Sequence, residues 1–242
     1  MLEQIKGNLK RLINTLGWDV RRYTLASNPM GQILAAIDKV QVDTVFDVGA
    51  NIGQFAQELR SVGFSGSIVS FEPLSEAHAR LTATSAGDLA WKVHPRTAVG
   101  DHDGDIEINI AKNSASSSVL SMLETHLSAA PDSAFISSER APLVRLDSIA
   151  RRYLIESSRY FIKIDTQGFE WQVLDGAVDM IKDAQGVLLE LSLVPLYDGQ
   201  KLWLEMIQRM ERMGFNLWAI QKGLSDPQTG RTLQVDAVFL RT

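Results

Sequence analysis

From residue 43 to residue 214, short apolar runs alternate with stretches of helical periodicity, and this alternation constrains the fold more tightly than any other feature of the chain. DTVFDVG (43–49), GSIVSFEP (66–73), LAWKVHPRTAVG (89–100), SRYFIKIDTQG (158–168) and GVLLELSL (186–193) read as strands. IGQFAQELRSVG (52–63), SEAHARLTATSA (75–86), FEWQVLDGAVDMIKD (169–183) and KLWLEMIQRMERMG (201–214) read as helices. Strands joined through helices predict βαβ units and a mostly parallel sheet with helices on both faces. GVLLELSL is almost wholly apolar, as a central strand covered on both sides must be. NLWAIQKG (216–223) and LQVDAVFLRT (233–242) follow with only the turn-rich SDPQTGR (225–231) between them. They predict a hairpin, and so an antiparallel strand at that end of the sheet. GDIEINIA (104–111) reads as an added strand or hairpin arm. Residues 112–142, rich in Ser, Ala and Pro, read as a long binding loop or lid.

The chain has 242 residues, 45% hydrophobic and 22% charged, with no cysteine. This excludes low complexity, collagen-like repeats and intrinsic disorder. It also excludes a disulfide framework, a thiolate metal site and a cysteine nucleophile. The net charge of −5 argues against nucleic acid as the main partner, because phosphate binding needs a basic face. The first stretch has a different character. Leu2, Ile5, Leu9, Leu12, Ile13 and Leu16 recur at helical spacing. Residues 1–24 set Lys6, Lys10, Arg11, Arg21 and Arg22 against Glu3 and Asp19, a balance of +3 that leaves −8 on the remainder. We read residues 1–40 as a helical extension that caps the main domain, and 41–242 as that domain. Contact with an anionic membrane surface is the second use such a basic amphipathic helix has. We read no signal peptide in the first residues and expect no bilayer span, since no window approaches eighteen uncharged apolar residues. The expected residence is cytoplasmic, extending to the inner membrane surface.

The most informative segment is Val45-Phe46-Asp47-Val48-Gly49-Ala50-Asn51-Ile52-Gly53-Gln54-Phe55, a strand running through a glycine turn into a helix. In an open α/β sheet, ligands sit beyond the carboxyl ends of the strands, where strand order reverses. Gly49 and Gly53 permit a tight turn and close approach of a ligand. A helix starting near Ile52 would aim its free N–H groups there. A dinucleotide turn carries G-x-G-x-x-G beneath a pyrophosphate. Here the spacing is G-x-x-x-G, and Asp47 would repel a pyrophosphate but suit a cation. S-adenosylmethionine carries a sulfonium and an ammonium and no phosphate. Glu72, in SFEP at the end of the next strand, is placed to accept from its ribose hydroxyls. The predicted donor site is Asp47, Gly49, Asn51, Gly53, Phe55, Glu72 and Pro73.

At this point the chain resembles the FkbM-type class I methyltransferases. The matching segments are VFDVGANIGQF (45–55), SFEP (70–73), AVGD (98–101), NSASSS (113–118), VRLDSI (144–149), IKIDTQGFEWQVLDGA (162–177), LLELSLVPLY (188–197) and DPQTGRTLQVDAVFLR (226–241). The resemblance implies a Rossmann-like, mostly parallel seven-stranded sheet and S-adenosylmethionine as donor. It also implies transfer mostly to oxygen, on sugars of glycolipids and polysaccharides or on polyketides. It places the adenine against Ala98 and Val99. The chain departs from the family at Gln167, where members often have Glu.

Asp165 ends a predicted central strand on the rim where the methyl group would lie, and it is the first choice for the base that takes a hydroxyl proton. Glu190, on the next strand, is the second choice or an orienting partner. Asn113, Ser117, Ser118 and Gln167 are the predicted acceptor contacts. Glu170, Asp147 and Asp236 read as structural, and Pro195, Tyr197 and Trp203 as packing. His78, His94, His102 and His126 lack metal-ligand spacing. Asp101–Asp105 puts Gly104 fourth, where a calcium loop needs glycine sixth. No metal is therefore expected. Methyl transfer from S-adenosylmethionine to a hydroxyl on a sugar of a glycolipid, polysaccharide or glycosylated natural product is the expected activity, with a hydroxylated small molecule or glycolipid as partner. An NAD(P)-dependent oxidoreductase and a non-catalytic S-adenosylmethionine-binding module are its rivals.

Overall fold

A computed structural model describes residues 2–18, 20 and 24–241. Asp19, Arg21 and Arg22, counted above in the basic N-terminal stretch, lie outside the described residues, as do the side chains of Leu2, Glu3 and Ile5. In chain order come α1 (Leu2–Thr15), α2 (Pro29–Lys39), β1 (Thr44–Val48), α3 (Gln54–Ser61), β2 (Ser67–Phe71), α4 (Ser75–Ser85), β3 (Trp91–Val93), β4 (Ala98–Val99) and β5 (Gly104–Ala111). They are followed by α5 (Glu124–Ala129), β6 (Phe135–Val144), α6 (Leu146–Ile149), β7 (Tyr160–Ile164), α7 (Glu170–Asp175), α8 (Val178–Asp183), β8 (Gly186–Ser192), α9 (Trp203–Arg212), β9 (Asn216–Lys222) and β10 (Gln234–Leu240).

The main sheet has seven strands in the order β3-β2-β1-β7-β8-β10-β9. The chain winds outward from β1 to β3, then returns to the other side of β1 with β7, so the order reverses between β1 and β7. β3, β2, β1, β7 and β8 are parallel. β10 runs antiparallel to β8 and to β9, as the hairpin predicted. Period-two alternation divides the strand residues between two cores. Val45, Ile68, Phe161, Leu188 and Val238 face one core with Ile33, Ala36 and Ile37 of α2 and Ala56 and Leu59 of α3. Phe46, Val69, Ile162, Leu189 and Phe239 face the other, with Val173 and Leu174 of α7, Met180 of α8 and Met206 and Met210 of α9.

Three expectations change. The predicted third strand is two, since β3 joins the main sheet while β4 belongs to a second sheet of order β4-β6-β5. The presumed long loop 112–142 contains α5 and most of β6, a ten-residue strand antiparallel to β5. One face of β6 is solvated and carries Ser138 and Arg140, and Pro142 interrupts its apolar pattern, which hides its period in the sequence. The predicted helix 169–183 breaks at Gly176, which packs so closely on the second sheet's approach that a Cβ there would lie 1.8 Å from the Gly100 carbonyl oxygen. Asp147 then restarts the chain as α8, its carboxylate accepting from the amides of Asp179 (3.1 Å) and Met180 (2.8 Å).

At the N-terminus, α2 is the helix that packs on the sheet. The Gln221 amide of β9 donates to the Pro29 carbonyl (2.9 Å) and to Gln32 Oε1 (3.2 Å), tying the start of α2 to the sheet edge. On α1 and just beyond it, Leu9, Leu12, Leu16, Trp18 and Val20 are each more than half exposed. Among the described residues no helix is long and apolar enough to cross a membrane.

Candidate active site

The carboxyl ends of β1, β2 and β7 open into a cavity of about 340 Å³, a size usual for small-molecule sites. Its wall includes Gly49, Asn51, Phe55, Glu72, Pro73, Ala98, Val99, Ser117, Ser118, Asp165 and Gln167, all of them predicted from the sequence. Met30 and Ile33 of α2 and Gln221 close one side. Asp47, Gly53, Asn113 and Glu190 are not on the wall.

The donor turn is held from within. The amides of Gly49 and Ala50 both donate to the Phe71 carbonyl (3.1 and 3.0 Å), Asn51 N to Glu72 Oε2 (2.8 Å), Ile52 N to Gln54 Oε1 (3.2 Å) and Gly53 N to the Ala50 carbonyl (2.8 Å). Five successive N–H groups are thus spent on protein acceptors. The helix starts at Gln54, two residues later than the sequence suggested, so the amides of Ile52 and Gly53 serve the turn itself. The glycines are required by packing against the protein itself. Gly49 has φ +75°, and a Cβ would stand 1.8 Å from the Asp165 carbonyl oxygen. Gly53 has φ +92°, and a Cβ would meet the Trp91 ring at 2.7 Å.

Glu72 is buried, and its carboxylate bridges the turn to the next helix by accepting from Asn51 N and from Leu74 N (2.9 Å). Burial pushes it up to about pH 7, against the opposing pull of those two amides and of Lys163. Each oxygen has a lone pair to spare for a hydroxyl. Ala98, Val99, Ile108, Val119, Phe71 and Phe169 supply an apolar wall beside it. A diol next to an apolar ring therefore fits here.

Asp47 is fully buried, and its register partner across β1 and β7 is Lys163. The ammonium lies 3.0 Å from Asp47 Oδ1, donates to the Gly49 carbonyl (2.7 Å) and stands 3.6 Å from Asp165 Oδ2. Burial opposes the charge on Lys163, but Asp47 and Asp165 more than offset it and hold the ammonium charged. The Asp47 carboxylate is therefore paired with Lys163, and of the two it is Lys163 that reaches the cavity wall. Sequence reasoning passed over this lysine. The signal was there, because a charge inside the wholly buried strand YFIKI needs a partner.

Two residues further along the same sheet face lies a row of acids. Asp165 follows β7, its amide donating to the Val48 carbonyl at 3.2 Å. Glu190 and Asp236 are register partners on β8 and β10. Gln167, between β7 and α7, joins this row: its Nε2 donates to Asp165 Oδ1 (2.9 Å) and to Glu190 Oε2 (2.7 Å). Gln234 Nε2 donates to the same Glu190 oxygen at 2.8 Å. Tyr197 OH donates to Gln167 Oε1 (2.8 Å), and Ser118 Oγ to the Gln167 carbonyl (2.6 Å). Burial first, then Asp165, Glu170 and Asp236, push Glu190 well above the usual carboxylate range. Asp236 is pushed up to about 6 by burial and by Asp165. It was read as structural, yet it lines the cavity. Glu170 meets its structural expectation, accepting from Thr166 N (2.8 Å) and Gly168 N (3.1 Å).

Of the loop residues, Ser114 bonds the Asn51 side chain, its Oγ donating to Asn51 Oδ1 at 3.2 Å, and Ser117 Oγ accepts from Ala111 N at 3.0 Å. Asn113 caps the short turn that follows it, its Oδ1 accepting from Ala115 N at 3.3 Å.

The model of the methyltransferase FkbM domain matches residues 47–217, more than two thirds of the chain. No curated protein sequence matches it. Among solved structures the chain is similar to an rRNA methylase from Streptococcus thermophilus, with 12% identity over 90% of this chain and 99% of that one and a TM-score of 0.46. It is similar to a candidate tRNA (m1A22) methyltransferase of Streptococcus pneumoniae solved with S-adenosyl-L-methionine, with 10% identity, 87% and 72% coverage and a TM-score of 0.47. A TehB-like SAM-dependent methyltransferase from Corynebacterium glutamicum matches at 10% identity, 99% and 97% coverage and a TM-score of 0.43.

Proposed function

The chain belongs to the FkbM methyltransferase family and uses S-adenosylmethionine, and on that premise we propose that it methylates a hydroxyl oxygen of a neutral, sugar-like acceptor. When bound, the donor supplies its methyl group to an acceptor oxygen by in-line displacement, the carbon–sulfur electrons leaving with sulfur. Glu72 would accept from the donor's ribose hydroxyls, and Ala98, Val99 and Phe169 would pack its base. Asp165 orients the acceptor hydroxyl and takes its proton on Oδ2. Glu190 acts behind it, through Gln167. Holding oxygen and methyl carbon in line does most of the work, and the base adds about 10²- to 10⁴-fold.

One observation carries this reading. Asp165 is a one-third exposed carboxylate on the cavity wall, packed directly against the donor turn at Gly49. The charge of the wall supports the acceptor class. Glu58, Glu72, Asp165 and Asp236 line it, against one lysine already paired. Such a wall repels phosphate and disfavours nucleic acid.

The test is methyl transfer from labelled S-adenosylmethionine to three panels: neutral methyl glycosides, sugar phosphates and a short RNA. Turnover of the first alone supports the reading; turnover of RNA or of sugar phosphates alone overturns it. Micromolar binding of S-adenosylhomocysteine without binding of NADH is the accompanying calorimetric result.

A second reading follows from α1 and the turn just after it, where Leu9, Leu12 and Leu16 are exposed beside the basic Lys10 and Arg11. A helix of that kind lies on anionic lipid. It would bring the cavity to a lipid-linked acceptor at the inner membrane surface.

A further inference from the structure

Gln167 is held in a conformation its side chain does not favour. Its φ is +53°, in the left-handed region that non-glycine residues rarely adopt and that clusters at functional sites. The strain is matched by complete use of the residue. Both amide hydrogens are donated, one to Asp165 and one to Glu190, Oε1 accepts from Tyr197, and the backbone carbonyl accepts from Ser118. A carboxylate in this place could donate to neither acid, and a shorter amide would not span the two strands.

The surroundings make that neutrality matter. Asp165 is faced by Lys163 from its own strand, Glu190 from β8, Asp236 from β10 and Glu170 from α7, with Asp47 behind Lys163. Gln167 is the group that sits between Asp165 and Glu190 and donates to both. It occupies Oδ1 of Asp165 and leaves Oδ2, the oxygen nearer Lys163, for the cavity.

We propose that Gln167 is a positioning residue: its amide bridges Asp165 to Glu190, sets which Asp165 oxygen meets the acceptor, and keeps the two carboxylates from competing for one proton. This deepens the role given to Asp165 above and rests on it for its catalytic meaning, though the bridge itself is measurable without turnover.

The readout is the side-chain carboxyl ¹³C resonance of Asp165, assigned by its loss in Asp165→Asn and titrated in protein bound to S-adenosylhomocysteine. Gln167→Glu places a third carboxyl against the pair and should raise the Asp165 midpoint by about one pH unit or more. Gln167→Gly removes the donors but relieves the left-handed strain, so it should raise the midpoint while leaving thermal stability near wild type. On any acceptor that turns over, Gln167→Gly should lower kcat about tenfold or more, with KM for S-adenosylmethionine unchanged, and Gln167→Glu should move the acidic limb of the rate profile upward. An Asp165 midpoint unmoved in both variants overturns the proposal. A shifted midpoint together with an active Asp165→Asn leaves the bridge standing and sinks the base assignment instead.

Discussion

Replacing Lys163 by Met tests the electrostatic frame beneath the site. The substitution keeps the volume and removes the charge. It strands Asp47, which is fully buried and, among the described residues, otherwise meets only the Ser70 hydroxyl at 3.3 Å, and it removes the donor that Lys163 gives the Gly49 carbonyl at 2.7 Å. Breaking a buried ion pair by deleting one partner costs about 3–5 kcal/mol, because the remaining charge stays desolvated. In a domain of this size each kcal/mol lowers Tm by about 2–4 °C, so the variant should melt about 6–20 °C below wild type near pH 8. The deficit should shrink in acid. An unpaired buried carboxyl is protonated more readily folded than unfolded, so it adds stability at low pH that is lost as pH rises. Asp47→Asn in the same chain should recover much of the loss, a coupling of about 1–3 kcal/mol in a double-mutant cycle. Thermal melts of the four proteins at two pH values measure all of this. A Lys163→Met protein melting within about 2 °C of wild type near pH 8 would refute the claim that the pair holds the turn.

Gly49→Ala should destabilise severely, about 3 kcal/mol or more, because its Cβ collides with backbone at Asp165 and its φ is +75°; a near-wild-type melt would contradict this. Glu72, Glu170 and Asp236 are raised to about 7, 7 and 6, above their unfolded values, so the stability they contribute is present in acid and fades as pH rises through 6 and 7. Ligand-free protein should therefore melt lower at pH 8 than at pH 5.5, and Glu72→Gln should flatten the slope. Ribose hydroxyls donate best to the ionised Glu72, so calorimetry should find S-adenosylhomocysteine bound more tightly at pH 8 than at pH 6. Leu9, Leu12 and Leu16 changed together to Ser should leave the melt unchanged, since all three are exposed. The same change should abolish flotation with phosphatidylglycerol vesicles; equal flotation of the two proteins would dismiss membrane contact.

The centre of the main sheet was readable because β1, β2, β7 and β8 are buried on both faces and announce themselves as apolar runs closed by glycine or proline. β6 was not. A strand in a small sheet with one solvated face carries Ser, Arg and Pro on its outer side, and local composition reads as loop. The break at Gly176 was equally hidden, since the reason for it is the Gly100 backbone, seventy-six residues away in the chain.

The site divides along the same line. Residues whose position follows from a strand end, such as Glu72 and Asp165, were found from the sequence and lie on the cavity wall. Assigning partners required register. Asp47 looked like a ligand group while its neighbour was unknown; the pairing of β1 with β7 hands it to Lys163. Asp236 looked structural until β10 was set antiparallel to β8, which puts it beside Glu190. Both residues share a property visible beforehand: each is a charge in a strand otherwise apolar. Burying an unpaired charge costs too much for such a residue to stand alone, so Asp47, Lys163, Glu190 and Asp236 had to find one another or the cavity. Period two already placed Lys163 with Asp165, and Asp236 with Val238, on fixed faces of their strands. Only the order of strands was missing, and once it is known the charges fall into two rows on one side of the sheet, a neutralised pair beneath the Gly49 turn and a row of acids beside the cavity, where we place the acceptor.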